Sequence, residues 1–185
     1  MARYLIIPGW AGSGPDHWQS YWEQDLAGAA RVEMPDWLEP KRDAWLTALD
    51  SAIAASSEPP ILVGHSLGCI AVAHWAALGR GRVRGALLVA PPDLDRPIDV
   101  LAEFAPVPRE PLPFPSRIVA SDDDPYARLA YSRALADAWG SDITVLEGAG
   151  HINAESGLGR WRDGHAWLGF AAKRASRRVP RVRRG

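Results

Sequence analysis

Cysteine is almost missing from this chain: Cys69 is the only one in 185 residues. A lone thiol excludes an internal disulfide and offers no cysteine set for structural zinc or dithiol redox chemistry. Long apolar runs are missing too. The only early one is Leu5-Ile6-Ile7, too short for a signal-peptide core, and no later stretch nears the ~20 uninterrupted apolar residues of a membrane span. The expectation is a cytoplasmic chain with no membrane partner. Core material is not short, since 47% of the residues are hydrophobic and 23% charged, the balance of one globular domain rather than a disordered or fibrous chain.

Net charge is nearly absent as well, at −1, but the charge is unevenly spread. Seven of the 21 basic residues lie in the tail 173–185 (Lys173, Arg174, Arg177, Arg178, Arg181, Arg183 and Arg184), which leaves residues 1–172 at a formal −8. The tail contains Pro180 and has no apolar periodicity, so it reads as a solvated extension of a domain spanning 1–172. Attachment to nucleic acid or acidic lipid is the functional alternative. An acidic body opposes phosphate, and no nucleic-acid partner is expected.

Short apolar runs alternate with helix-like segments, the pattern of a mostly parallel sheet of about six strands with helices on both faces. The strand candidates are Tyr4–Pro8, Ala30–Met34, Ile61–His65, Gly85–Ala90, Arg117–Ser121 and Ile143–Glu147. Helical spacing of apolar residues marks Asp16–Ala27, Lys41–Ala55, Leu67–Leu78, Pro125–Trp139 and Leu158–Lys173. Between Pro91 and Pro115 the rhythm breaks, because eight prolines in 25 residues leave room for one short helix around Ile98–Phe104.

The chemistry enters at Gly64-His65-Ser66-Leu67-Gly68, where an apolar strand runs straight into a helix. A sharp strand-to-helix turn of this kind raises the serine hydroxyl above the sheet edge, and the flanking glycines remove side chains that would collide there. The helix that follows aims its positive dipole end at Ser66, so the Leu67 N–H is placed to hold a developing oxyanion. A chance Gly-x-Ser-x-Gly in a turn is the plain alternative. The flanking strand and helix argue against it.

A serine hydroxyl needs a base, and five histidines are available. His151 follows the last strand in the glycine-rich loop Glu147-Gly148-Ala149-Gly150, where the nucleophile-acid-histidine chain order puts the base. His65 is expected to turn away from Ser66, and His74 and His165 to be packing or surface residues inside helices. The acid should follow the fifth strand, where Asp122-Asp123-Asp124 offers three carboxylates, and chain order does not choose among them. The plain alternative is that one or two of these acids merely cap a helix starting at Pro125, since proline at a first helical position makes Asp124 look like an N-cap. The loop Pro8-Gly9-Trp10-Ala11-Gly12-Ser13-Gly14 permits close backbone approach, but it matches neither Gly-x-Gly-x-x-Gly nor a phosphate loop. Among the nine tryptophans, Trp18 and Trp22 at helical spacing should pack on the sheet, with His17 and Asp36 organising that packing, while Trp10 could wall an acyl pocket.

Read in order, Ile6-Ile7-Pro8-Gly9-Trp10, Asp16-His17-Trp18-Gln19, Met34-Pro35-Asp36-Trp37, Gly64-His65-Ser66-Leu67-Gly68 and Gly150-His151 resemble one family. It is the small serine hydrolase family of the α/β-hydrolase superfamily that includes retinoblastoma-binding protein nine, and the resemblance runs to about residue 172. It implies a compact single-domain α/β-hydrolase without extra antiparallel strands, no cofactor, no metal, and a triad of Ser66, Asp124 and His151. Asp124 is preferred to Asp123 because the acid in such hydrolases commonly lies three residues after the small residue ending the strand, before a proline or similar turn residue. The resemblance also makes the Trp10 N–H the partner of the Leu67 N–H in an oxyanion hole. The proline-rich stretch falls where many such hydrolases insert a lid, so no large lid is expected. The function implied is carboxylesterase-like hydrolysis of a small-molecule ester or related acyl substrate through an acyl-enzyme. A protein-binding module with an idle triad is the competing reading, and perhydrolase chemistry on the same residues a third.

Overall fold

A computed structural model describes residues 3–169. The basic tail, the domain limit at 172 and the last residues of the final predicted helix lie outside them.

Six strands form one sheet: β1 (Tyr4–Ile7), β2 (Ala29–Arg31), β3 (Ile61–His65), β4 (Gly85–Val89), β5 (Ser116–Ser121) and β6 (Asp142–Leu146). Their order is β2-β1-β3-β4-β5-β6 and every pairing is parallel, which sharpens "mostly parallel" to wholly parallel among the described residues. β3 and β4 are buried at every position because helices cover both faces. Side chains alternate along each strand, so Leu62 and Leu88 enter one core and Val63 and Val89 the other. Helices α2 (Arg42–Ala54), α3 (Leu67–Ala77) and α4 (Leu129–Trp139) cover the first face, and α1 (Trp18–Asp25) and α5 (Arg162–Ala166) the second.

The chain leaves β1 toward β2 on one side and returns through β3 to the other, so the order reverses between β1 and β3. In parallel sheets the crevice outside the carboxyl ends of the strands at that reversal is where ligands bind. The Trp10 loop and Ser66 leave β1 and β3 at that point.

Two predicted helices are corrected. α4 starts at Leu129 rather than Pro125, its N-cap is Arg128, and no side chain caps it. Asp124 is therefore not an N-cap: its carboxylate instead accepts the Tyr126 N–H at 2.9 Å and closes a separate turn. The helix expected from Leu158 is broken, because Trp161 takes φ 39° and only α5 and a 3₁₀ turn at Trp167–Gly169 follow among the described residues. The proline-rich stretch holds a 3₁₀ turn at Asp99–Phe104 whose Leu101 and Phe104 are buried in the first core. No helix of the described residues is long and apolar enough to cross a membrane.

Candidate active site

Ser66 sits between β3 and α3 at φ 51°, ψ −122°, a conformation that costs a non-glycine residue about 1–3 kcal/mol. The surroundings hold it there. Its N–H donates to the Val89 carbonyl at 2.9 Å, its carbonyl accepts the Cys69 N–H at 2.9 Å, and α3 is buried along nearly its whole length. The close approach explains two glycines. A Cβ on Gly68 would run into the Ile7 carbonyl and come within 2.8 Å of the Pro8 carbonyl, and one on Gly9 would stand 2.8 Å from the Ser66 Cβ. Any larger residue at either position would push the Ser66 turn away from the end of β1.

His151 reaches this serine from the loop after β6. Its Nε2 lies 2.9 Å from Ser66 Oγ, and its Nδ1 lies 3.0 Å from both carboxylate oxygens of Asp124. A carboxylate accepts two hydrogen bonds only from a donor, so the imidazole proton sits on Nδ1 and Nε2 is free to take the Ser66 proton. Asp124 and His151 side chains are almost wholly buried, at 3% and 10% exposure, which keeps the pair out of solvent competition.

The three consecutive aspartates divide the work of holding this loop. Asp122 accepts the Gly148 N–H at 2.8 Å, Asp123 accepts the Gly150 N–H at 2.7 Å and the Ser121 hydroxyl at 2.6 Å, and Asp124 takes the ring. Those bonds hold the Asp123 carboxyl below the usual aspartate range, the Ser121 hydroxyl first and the Gly150 N–H next. Of the two candidates left open, only Asp124 meets the imidazole.

Of the two candidate oxyanion donors, Leu67 is buried directly after Ser66 and Trp10 lies on the loop after β1. Leu67 opens α3, so its N–H has no intrahelical partner. Around Trp10, the Ala11 N–H donates to Trp37 O and the Gly12 N–H to Gly9 O, which folds the loop into a tight turn beside Ser66. Arg31 fixes that loop from beneath, donating to Ser13 O at 2.8 Å and to Ser20 Oγ at 2.8 Å while it pairs with Glu23. The Trp10 indole, half exposed, donates to Leu38 O at 3.0 Å.

A cavity of about 390 Å³ opens over Ser66 and His151. Trp10, Pro92, Ile98, Leu101 and Tyr126 supply apolar walls, Asn153 and Glu155 a polar edge, and no Lys or Arg among the described residues lines it. The described residues contain no group of three His, Cys, Asp or Glu side chains arranged to hold a metal ion.

His65 has a role that its expected turn away from Ser66 did not suggest: its Nε2 donates to the His151 carbonyl at 3.0 Å, its ring centroid lies 5.0 Å from that of His151, and it lines the same cavity. Burial first, then the neighbouring His17 and His151, push its pKa well below the usual histidine value, so it is neutral. The sequence pattern held no sign of this, because the partner carbonyl is 86 residues away. His74 bonds the Phe104 carbonyl and His165 stands against Trp22, both packing roles as expected, and Asp36 caps the turn at Leu38 and Glu39.

This sheet order, with a serine on a strained turn after a central strand and the histidine on the loop after the last one, is the architecture of the α/β-hydrolases. Within that class the chain belongs to the serine hydrolase family, whose model matches residues 4–169. It is 26% identical over 168 residues to the YdeN hydrolase of Bacillus subtilis (strain 168), covering 84% of this chain and 88% of that one. The crystal structure of a YdeN-like hydrolase from Pectobacterium atrosepticum superposes with a TM-score of 0.84 at 31% identity, covering 94% of this chain and 91% of the other. Est1E from Butyrivibrio proteoclasticus, solved with ferulic acid, shares the fold at a TM-score of 0.71 and 17% identity, covering 96% and 90%. The protein is thus a hydrolase, as the sequence motifs implied.

Proposed function

We propose that the protein is a cofactor-free serine esterase in which Ser66 is the nucleophile, His151 the general base and Asp124 the residue that orients the base. The observation that carries the reading is the unbroken hydrogen-bonded line from Ser66 Oγ through both nitrogens of His151 to Asp124. His151 Nε2 takes the hydroxyl proton as Ser66 Oγ bonds to the substrate carbonyl carbon. The resulting oxyanion sits between the N–H groups of Leu67 and Trp10, which add transition-state stabilisation worth about 3 kcal/mol per donor. His151 then returns the proton to the departing alkoxide, leaving an acyl-Ser66 ester that water, deprotonated by the same imidazole, hydrolyses.

The cavity favours a compact, largely apolar acyl group, with aromatic surface from Trp10 and Tyr126 to cover it. With Glu155 on its edge and no cationic side chain in its lining among the described residues, it suits neutral esters over anionic ones. The partner is a small-molecule acyl substrate. The test is labelling by a fluorophosphonate probe, compared between wild type, Ser66→Ala and His151→Ala. Labelling lost in both variants supports the triad; a folded wild type that does not label favours a binding module with an idle serine.

A further inference from the structure

The Asp16-His17-Trp18-Gln19 stretch has no part in the chemistry above, yet three consecutive side chains at the start of α1 each grip a different piece of the site. Gln19 is fully buried; its Nε2 donates to Ile7 O at 3.2 Å and Val63 O at 3.0 Å, and its Oε1 accepts the Ser13 hydroxyl at 2.7 Å. One amide therefore ties β1 and β3 together just before the turns that carry Trp10 and Ser66, and anchors the loop between β1 and α1 as well. Trp18 Nε1 donates to Ile152 O at 2.8 Å, directly after His151. His17 Nδ1 accepts the Gln19 N–H, which places its own proton on Nε2. That buried N–H finds no acceptor among the described residues, and the ring stands edge-on to His65, 4.7 Å between centroids, the same His65 that donates to the His151 carbonyl.

Ile152 shows why such grips matter. It is β-branched yet held at φ 50°, a conformation that persists only where the surroundings over-determine it. The carbonyl that Trp18 holds belongs to this strained residue. One turn further along α1, Trp22 provides a comparison within the same helix: it is equally buried and its Nε1 donates to Arg160 O at 3.0 Å, outside the site.

We propose that His17, Trp18 and Gln19 form a bracket of positioning residues that sets the distance from Ser66 Oγ to the His151 imidazole and the aim of the Trp10 N–H. The inference rests on Ser66 and His151 being the reacting pair. His17 lines the cavity but Trp18 and Gln19 do not, so the effect of those two falls on the chemical step rather than on substrate binding.

The test pairs Trp18→Phe with Trp22→Phe. Each deletes one indole N–H and the same three heavy atoms from a fully buried side chain of the same helix, so the two should lower Tm by similar amounts. Trp18→Phe is expected to lower kcat roughly tenfold or more with KM within about twofold, while Trp22→Phe leaves both within about twofold. Gln19→Leu should lower kcat at least as far as Trp18→Phe. Equal activity losses in the two tryptophan variants, or a loss confined to KM, would overturn the bracket. A second readout does not depend on turnover: the downfield Nδ1 proton of His151, assigned by its loss in His151→Gln, should shift or broaden in Trp18→Phe and stay in place in Trp22→Phe. No change in either variant would also overturn it. A folded wild type that fails to label with fluorophosphonate would sink the esterase reading, and the proton signal would still decide on the bracket.

Discussion

The two faces of the sheet are built by different means. Beneath α2, α3 and α4 the core is a continuous interlock of Leu, Ile, Val and Ala around the tryptophans 45, 75 and 139. Beneath α1 and α5 it is smaller and dominated by Trp18, Trp22 and Trp161, whose rings pack edge-to-face or stacked at 4.8–5.7 Å. Buried apolar area stabilises wherever it lies, but an indole also carries a directional N–H. On the second face two of those N–H groups reach backbone carbonyls in the loops after β6. The first face holds the larger core, with its indole N–H groups bonded to Asp36 O, Asp50 Oδ1 and Pro108 O, and the second sets one of its N–H groups on the residue after His151.

The contrast can be broken most forcefully at the groups proposed to react. Ser66→Ala should lower kcat by about 10⁴-fold or more while leaving the unfolding midpoint near that of wild type, read from ester turnover and denaturant titration. Asp124→Asn should cost about 10³–10⁴ in kcat, whereas Asp123→Asn, which loses only bonds to the Ser121 hydroxyl and the Gly150 N–H, should cost tenfold or so. Equal losses would mean that the acid has been misassigned. On the first face the expectation reverses: Leu135→Ala, fully buried in α4, should destabilise by about 2–5 kcal/mol with kcat of the folded fraction unchanged.

The smallest effect is one of pH, and it belongs to the second face. Burial, followed by Arg31 and His151, lowers the His17 pKa from 6.5 to about 4. Between those values the unfolded chain binds the proton and the folded one does not, so stability is full above pH 6.5 and falls as the pH drops toward 4. From pH 7 to 4.5 His17 should contribute a loss of roughly 2–3 kcal/mol, with His65 adding in the same direction. His17→Asn, which keeps a capping side chain, should flatten that slope in urea titrations. An unchanged slope would show that His17 is not the neutral buried imidazole described.

Much of this was readable in the sequence because it is local. Ile61–His65 is a strand to the residue, since an apolar run bounded by Pro60 and the serine turn leaves no other element. That Ser66 and His151 meet was expected from motif and chain order. The start of α4 was misjudged because Pro125 at a first helical position is a good signal, and it lost to Asp124 being drawn toward an imidazole 27 residues away. The roles of His65, Trp18 and Gln19 were invisible for the same reason. Their partners lie between 6 and 134 residues off, and no spacing rule encodes a hydrogen bond to a distant backbone carbonyl.

The bond from Trp18 to Ile152 joins positions 134 apart, close to the full reach of the described chain. Contacts of such separation close larger loops than local ones do, at a cost that grows only slowly with length. Ser66 and its turn lie between β3 and α3, whereas His151 and the Ile152 carbonyl that Trp18 holds follow β6, so the Ser66–His151 bond exists only where early and late segments of the described residues have met.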